Sequence, residues 1–181
     1  TDTAPLCGAH LKAGLRRYFS TPINTEYHSE IGLRMMMGAM ARELVKYDRG
    51  MEPILSFAKN HYYRSHVKIL ATVPASDAAM GEIGLIHECP NCLYRSVEKG
   101  ALLPAEGVCP HCGARTLPIG PLWMGKLQGE GIIDAMLENL PAMEFGTKKQ
   151  MDKFLRILKD EPECGFFYDY HAICREIRVS P

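Results

Sequence analysis

Two cysteine turns organise the chain: Cys89-Pro90-Asn91-Cys92 and Cys109-Pro110-His111-Cys112-Gly113, separated by the sixteen residues 93–108. Two residues between cysteines let one tight turn aim both sulfurs at one ion, and the proline after each first cysteine restricts φ in that turn. Gly113 allows the backbone to close behind the second pair. This spacing predicts a closed, structural zinc site with four thiolate ligands, Cys89, Cys92, Cys109 and Cys112.

Two alternatives to zinc follow from the same cysteines. The four thiols could be unrelated pairs or could form disulfides. Iron is the minor alternative metal, because tetrahedral sulfur sites also hold it. On that alternative the chain would be a rubredoxin-like electron carrier, which would absorb visible light.

The composition is that of a globular chain without net charge. The apolar fraction is 46%, enough for a buried core. Lys+Arg and Asp+Glu number 21 each, so any RNA-binding surface has to be a local patch. Three of the seven cysteines lie outside the turns without a disulfide-framework spacing, which favours the reducing cytoplasm. We find no membrane-spanning run or secretory signal, expect no membrane partner, and leave the oligomeric state open.

Apolar residues at helical spacing predict a helical first third and a helical last third. In the longest helix Thr25 is the expected N-cap and Gly50 the stop. Its methionine stripe, from Met35 to Met40, is interpreted as core rather than as a binding groove. The predicted helices are 8–19, 25–48, 131–140 and 148–159.

Residues 53–72 are predicted to form two strands or one bent strand. On such a strand Arg64, His66 and Lys68 share one face, while the other face is apolar. A basic face beside Tyr62 can hold phosphates while the ring stacks on a base, and an ordinary solvated face is the equally consistent alternative. The candidate RNA contacts are Lys59, Tyr62, Arg64, His66, Lys68, Arg175 and Arg178, with Lys12, Arg16 and Arg17 of the first helix as a further group.

The cysteine turns are expected to lie in a zinc ribbon. Residues 73–81 are interpreted as an Ala/Ser/Pro linker, and Trp123 as a packing anchor behind the ribbon. Because so small a module has little core, the metal should supply much of its folding energy. Loss of one cysteine would then unfold 83–119 and leave the helix at 25–48 intact. The predicted strands are 83–87, 93–97, 101–103 and 115–119.

A catalytic reading of the C-terminal segment is rejected. Asp169, His171 and Cys174 lie close together in sequence. Such local signatures transfer poorly between families, so an ordinary helix entry is the preferred interpretation.

Several short segments, read in order along almost the whole chain, carry a family resemblance. They are Thr1-Asp2-Thr3-Ala4-Pro5-Leu6-Cys7-Gly8, Tyr27-His28-Ser29-Glu30-Ile31-Gly32-Leu33-Arg34, Ala41-Arg42, Lys46-Tyr47-Asp48, Asn60-His61-Tyr62-Tyr63-Arg64, Gly120-Pro121-Leu122-Trp123-Met124-Gly125, Phe167-Tyr168-Asp169 and His171-Ala172-Ile173. In this order they resemble the tRNA (guanine-26) N(2)-dimethyltransferase family. The cysteine-rich insert agrees with members of that family that carry zinc there.

The resemblance implies that S-adenosylmethionine methylates the exocyclic N(2) amine of guanine-26 in tRNA twice. That amine is a poor nucleophile because its lone pair is conjugated with the ring, so the enzyme has to orient it. In the family an Asp-Pro-Phe-Gly motif and a Gly-rich cofactor loop precede the segment that resembles residues 1–8. This chain contains neither, so the resemblance places no catalytic or cofactor-binding residue in it. We expect a fragment that is inactive alone.

The expected fold is α/β, with mixed α+β character. Residues 1–72 would be the C-terminal part of a methyltransferase domain, at the end of a Rossmann-like sheet. Residues 73–125 would be the zinc-ribbon module, and 126–181 the helical part of a truncated C-terminal domain. The fragment would supply a structural Zn²⁺ site and tRNA-binding elements to a cytoplasmic enzyme. The alternative function is a stand-alone zinc-ribbon RNA-binding module without catalytic activity.

Overall fold

The computed structural model describes residues 3–161 and 165–180, which form a mixed α/β fold. The predicted helices of the first and last thirds are confirmed; the one predicted at 8–19 is the shorter helix Leu11–Tyr18, and a short helix at Thr3–Leu6 was not predicted. Within the described part no helix is long and apolar enough to cross a bilayer. The helices are α1 (Thr3–Leu6), α2 (Leu11–Tyr18), α3 (His28–Val45), α4 (Val73–Gly81), α5 (Ile132–Asn139), α6 (Lys148–Asp160) and α7 (Tyr170–Glu176), with a 3-10 turn at Leu140–Ala142.

The strands of the described residues form two antiparallel sheets. β1 and β2 make a hairpin, which confirms the two-strand interpretation, and the other sheet has the order β4-β3-β6-β5. Every strand pairing in residues 3–161 and 165–180 is antiparallel, and the expected end of a Rossmann-like sheet stays a prediction. The strands are β1 (Gly50–Lys59), β2 (Tyr62–Leu70), β3 (Ile83–Glu88), β4 (Arg95–Lys99), β5 (Gly107–Val108) and β6 (Arg115–Trp123).

Helix α3 is the centre of the core. Ile31 and Met35 pack into a cluster with β3 and β6. Leu33 and Met37 belong to a second cluster, which also includes Met51 of β1. Because its apolar side chains point in several directions, α3 is enclosed on more than one side, and the methionine stripe is core as predicted.

The cysteine module shares this core. Ile86 of β3 and Ile119 of β6 are at most 1% exposed and pack with Tyr27 and Ile31. Trp123 at the end of β6 is also buried, which confirms its role as an anchor. Residues on both sides of the predicted boundary at 72/73 therefore pack together, while the three-part domain division itself remains a prediction.

A third cluster joins the C-terminal helices to the hairpin. Leu55 of β1 packs with Ile133 of α5 and with Leu155 and Leu158 of α6. Phe57 adds an edge-to-face contact with Phe154. The face of β1 that bears Leu55 and Phe57 is thus covered by α5 and α6.

Four local predictions are wrong. Gly50 does not end α3, because the helix stops at Val45 with Lys46 as its C-cap, and Gly50 is the first residue of β1. Residues 73–81 form α4 rather than a linker, because Thr72 caps the helix by accepting the Ala75 N–H at 3.3 Å and a proline in the first turn is compatible with a helix. Thr25 does not cap α3, which starts after Tyr27 without a side-chain cap. Residues 101–103 form no strand; β6 instead pairs with β5 on the side opposite β3.

Candidate metal centre and basic surface

The two cysteine turns have the same backbone geometry. The N–H of Cys89 donates to the Tyr94 carbonyl at 2.8 Å, and the N–H of Cys109 donates to the Ala114 carbonyl at 2.7 Å. The residue after each second cysteine has a left-handed φ, 60° at Leu93 and 74° at Gly113. Glycine adopts that conformation without a steric cost, which explains Gly113.

The turns bring all four predicted ligands together. The four Sγ atoms lie within 4.8 Å of one another. The Cys89–Cys112 and Cys92–Cys109 sulfur pairs are 3.5 and 3.6 Å apart, which is too far for disulfide bonds. A tetrahedral ion with Zn–S bonds of about 2.3 Å places its sulfurs about 3.8 Å apart, so the cluster has the dimensions of such a site.

Hydrogen bonds distribute protons unevenly over these thiols. The backbone amide of Ala114, and after it the Asn91 side chain, stabilise the Cys112 thiolate and lower its pKa to about 6. At Cys92 the Tyr94 backbone amide also favours the thiolate, but desolvation and hydrogen bonds with the other three sulfurs raise the pKa to about 12. Metal binding has to displace the remaining protons.

Arg95 joins the cysteine cluster to two distant segments, and the sequence reasoning did not single it out. Its guanidinium lies 3.9 Å from the ring centroid of Tyr27 and 4.1 Å from that of Tyr168. It donates to Glu26 Oε1 at 2.6 Å, and its Nε lies 3.3 Å from Glu88 Oε2. Glu88 directly precedes the first ligand and also accepts the Tyr27 hydroxyl.

Arg34 was missed in the same way. On the buried side of α3 it pairs with Glu30 at 2.8 Å and donates to the carbonyls of Trp123 and Gly125, each at 3.0 Å. Glu30 in turn accepts the Phe166 N–H at 2.8 Å. The i,i+4 spacing of Glu30 and Arg34 was the available sequence signal.

The predicted basic strand face is present. Arg64, His66 and Lys68 are exposed on β2 and alternate with the half-buried Tyr63 and Val67. This arrangement confirms the predicted alternation of faces. It does not test RNA contact.

Two of the predicted contacts on the hairpin also interact with aromatic rings. The Lys59 ammonium lies 4.6 Å from the centroid of Phe154. The Arg64 guanidinium lies 5.8 Å from the ring centroid of Tyr62, a residue that is 40% exposed. Lys59 thus has a packing role in addition to its charge.

The other predicted RNA contacts lie elsewhere. Arg175 is exposed on α7, and Arg178 follows the helix. Asp169 caps α7 by accepting the His171 N–H at 2.7 Å. This capping role of Asp169 gives no support to the catalytic interpretation rejected above. Lys12, Arg16 and Arg17 lie on α2 and are exposed.

Comparison with known proteins gives one consistent result. The profile of the N2,N2-dimethylguanosine tRNA methyltransferase family matches residues 1–181. A tRNA (guanine(26)-N(2))-dimethyltransferase of Methanocorpusculum labreanum is 61% identical over 181 residues, which are 100% of this chain and 48% of that protein. The corresponding protein of Methanoculleus marisnigri is 49% identical over the same length, again 48% of the relative.

A solved structure agrees with the sequence relatives. Trm1 from Pyrococcus horikoshii, in complex with S-adenosyl-L-methionine, has a TM-score of 0.86 and 34% identity over 99% of this chain and 46% of its own. The chain spans about half the length of the curated relatives it matches. It belongs to the N2,N2-dimethylguanosine tRNA methyltransferase family.

Proposed function

We propose that this chain is the structural and tRNA-contacting half of a tRNA (guanine-26-N(2))-dimethyltransferase that uses S-adenosylmethionine in the cytoplasm. The main support for the proposal is a relative with that name, which aligns with all 181 residues of the chain and is 61% identical to it. The similarity to Trm1 bound to S-adenosylmethionine supports it. Because the chain spans about half of these relatives, the activity is proposed for the longer protein.

In the proposed reaction S-adenosylmethionine supplies the methyl group. The N(2) amine of guanine attacks only when it is held in line with that group, so accurate placement of the tRNA determines the rate. The contribution of this chain is binding energy: its basic surface holds the tRNA backbone, and its core keeps that surface rigid. The family's acidic motif and cofactor loop belong to the half that this chain does not contain.

A chimera tests the proposal directly. The segment of the M. labreanum relative that matches this chain is replaced by residues 1–181, and the product is incubated with tRNA and S-adenosylmethionine. We expect dimethylguanosine at position 26, detected by mass spectrometry of digested tRNA, as with the unmodified relative. An intact, folded chimera that binds tRNA without methylating it would instead support the stand-alone RNA-binding alternative.

We also propose that the four cysteines bind one structural Zn²⁺. The support is the close sulfur cluster and its all-thiolate ligand set, which leaves no open coordination position. Elemental analysis of protein purified under reducing conditions should give one zinc per chain and no iron. A visible absorption band, or the absence of stoichiometric metal, would refute the zinc assignment.

The exposed face of β2 is proposed to contact tRNA phosphates. Arg64 is the first candidate, because a guanidinium grips a phosphate at two points and stacks on a base. In the chimera, Arg64→Ala should weaken binding to all tRNAs and reduce the salt slope by roughly 0.7 to 0.9. Unchanged affinity and slope would identify this face as solvated surface only.

A further inference from the structure

Charge is segregated between two elements and the rest of the chain. Helix α6 carries five Lys/Arg and two Asp residues, and the hairpin 50–70 carries three Lys/Arg and one Glu. Together they have a formal charge of +5. Since the whole chain has a net charge of zero, the remaining residues carry −5. Asp134 of α5 pairs with Lys159 at 2.6 Å and lowers the local charge to +4, so a neutral chain still contains one basic region.

The helix and the hairpin are packed against each other. The ring centroids of Phe57 and Phe154 are 4.9 Å apart, and Leu55 lies in one cluster with Leu155 and Leu158. This packing places the charges of the two elements in one region of the surface, where the Lys59 ammonium lies 4.6 Å from the Phe154 ring centroid.

The basic strand face and α6 lie on the same side of the hairpin. The antiparallel register pairs Phe57 with Arg64 and Leu55 with His66. Directly paired residues project from the same face of a sheet. Because Phe57 and Leu55 face α6, the exposed Arg64 and His66 flank the helix instead of pointing away from it.

Helix α6 adds two uncommitted cations to this surface. Lys149 and Lys153 are exposed and one turn apart, and within residues 3–161 and 165–180 neither pairs with an acidic side chain. Arg156 differs, because Asp152 accepts two of its hydrogen bonds at 2.9 and 3.0 Å. Lys149 and Lys153 are therefore available to a ligand without loss of an internal ion pair.

We propose that α6 and the exposed face of β2 form one continuous surface for an RNA phosphate backbone, with Lys149 and Lys153 as direct contacts. Cations attract any polyanion, but Tyr62 is exposed beside Arg64 and offers a ring on which a base can stack. An unpaired or splayed RNA segment fits this combination better than an acidic protein does. The inference rests on the proposed function, which identifies the RNA as tRNA.

The test is the salt dependence of tRNA binding by the 181-residue chain and by the chimera. Lys149→Gln combined with Lys153→Gln should reduce the slope of log affinity against log salt by about 1.4 to 1.8, as two lost contacts require. The loss should be the same for different tRNAs. The control combines Lys46→Gln with Lys99→Gln, which removes two cations outside the region that are similarly exposed, 59% and 53%, but are paired with Glu43 and Glu82, and it should leave the slope unchanged.

Three outcomes overturn the surface: no measurable tRNA binding by either protein, an unchanged slope in the α6 variant, or tighter binding to polyglutamate than to tRNA. Different outcomes test the proposed function. A chimera that methylates tRNA while the α6 variant keeps its slope refutes the surface alone. An inactive chimera refutes the function, whereas a slope reduction in the 181-residue chain still supports the surface.

Discussion

Arg95 makes many of the contacts that hold together the segments around the cysteine cluster. Its side chain is 6% exposed and lies between two tyrosine rings. It also donates to the carbonyls of Phe166 and Phe167 at 2.8 and 3.0 Å. A buried cation with several partners adds little net energy as a pair, but removing it leaves carboxylates unpaired. The importance of Arg95 thus lies in what its loss would expose.

We expect Arg95→Gln to lower the free energy of unfolding by about 3 to 5 kcal/mol, because Glu26 and Glu88 would lose their buried cation. Arg95→Lys should recover only part of this, since an ammonium cannot make the same fork of hydrogen bonds. Urea denaturation measures both. Arg115→Gln is the matched control: its ion pair with Glu106 is about two-thirds exposed, and its loss should cost about 1 kcal/mol at most. Equal effects of the two glutamine substitutions would contradict this account.

The residues that sequence reasoning found and missed differ in the range of their contacts. The ligands are defined by two local turns of fixed spacing, so the pattern was readable. The partners of Arg95 in Glu26, Phe166 and Phe167 are 69 to 72 residues away along the chain. A lone arginine in a strand contains no local sign of them, and only the folded chain shows the contact.

At the scale of elements, β3 and β6 each belong to two environments. Toward the core, Ile83 and Trp123 are buried and paired in register. Toward the cysteines, Glu88 pairs with Leu117, which is 41% exposed. The core half is stabilised by apolar burial, whereas we expect the outer half to depend on the proposed zinc ion and on Arg95.

This division changes what metal removal should do. Sequence analysis predicted unfolding of 83–119 as a separate unit. We now expect a chelator, or Cys112→Ser, to increase amide hydrogen exchange mainly in 89–115, while the buried parts of β3 and β6 stay protected. Exchange measured by mass spectrometry, with and without added zinc, distinguishes the two. Loss of protection throughout 83–123 would restore the separate-module interpretation.

Helix α4 shows why element prediction from composition was incomplete. Residues 73–81 contain alanine, serine and proline, which are common in linkers. The same residues suit a helix when a threonine caps it and the proline falls in the first turn. Strong apolar periodicity, as in α6, needed no such context and was predicted correctly.

At the scale of the whole molecule, the chain has its own core but shows an uneven charge. Three apolar clusters join elements from residue 6 to residue 158. These clusters consist of apolar residues, while the basic side chains of α6 and β2 lie on the surface. This arrangement is consistent with the proposal that the chain binds tRNA and supplies no catalytic residue.

We therefore predict that the 181-residue chain, loaded with zinc, folds cooperatively but neither binds S-adenosylmethionine nor methylates tRNA. The resemblance implies a Gly-rich loop and an acidic motif that hold the cofactor and orient the amine, and neither occurs in this sequence. Trp123 is buried in the core, so its fluorescence reports cooperative folding during denaturation. Calorimetric titration with S-adenosylmethionine measures cofactor binding, with the chimera as the positive control. Heat of binding for the isolated chain would show that cofactor contacts reside in this half, and the division of labour proposed here would be wrong.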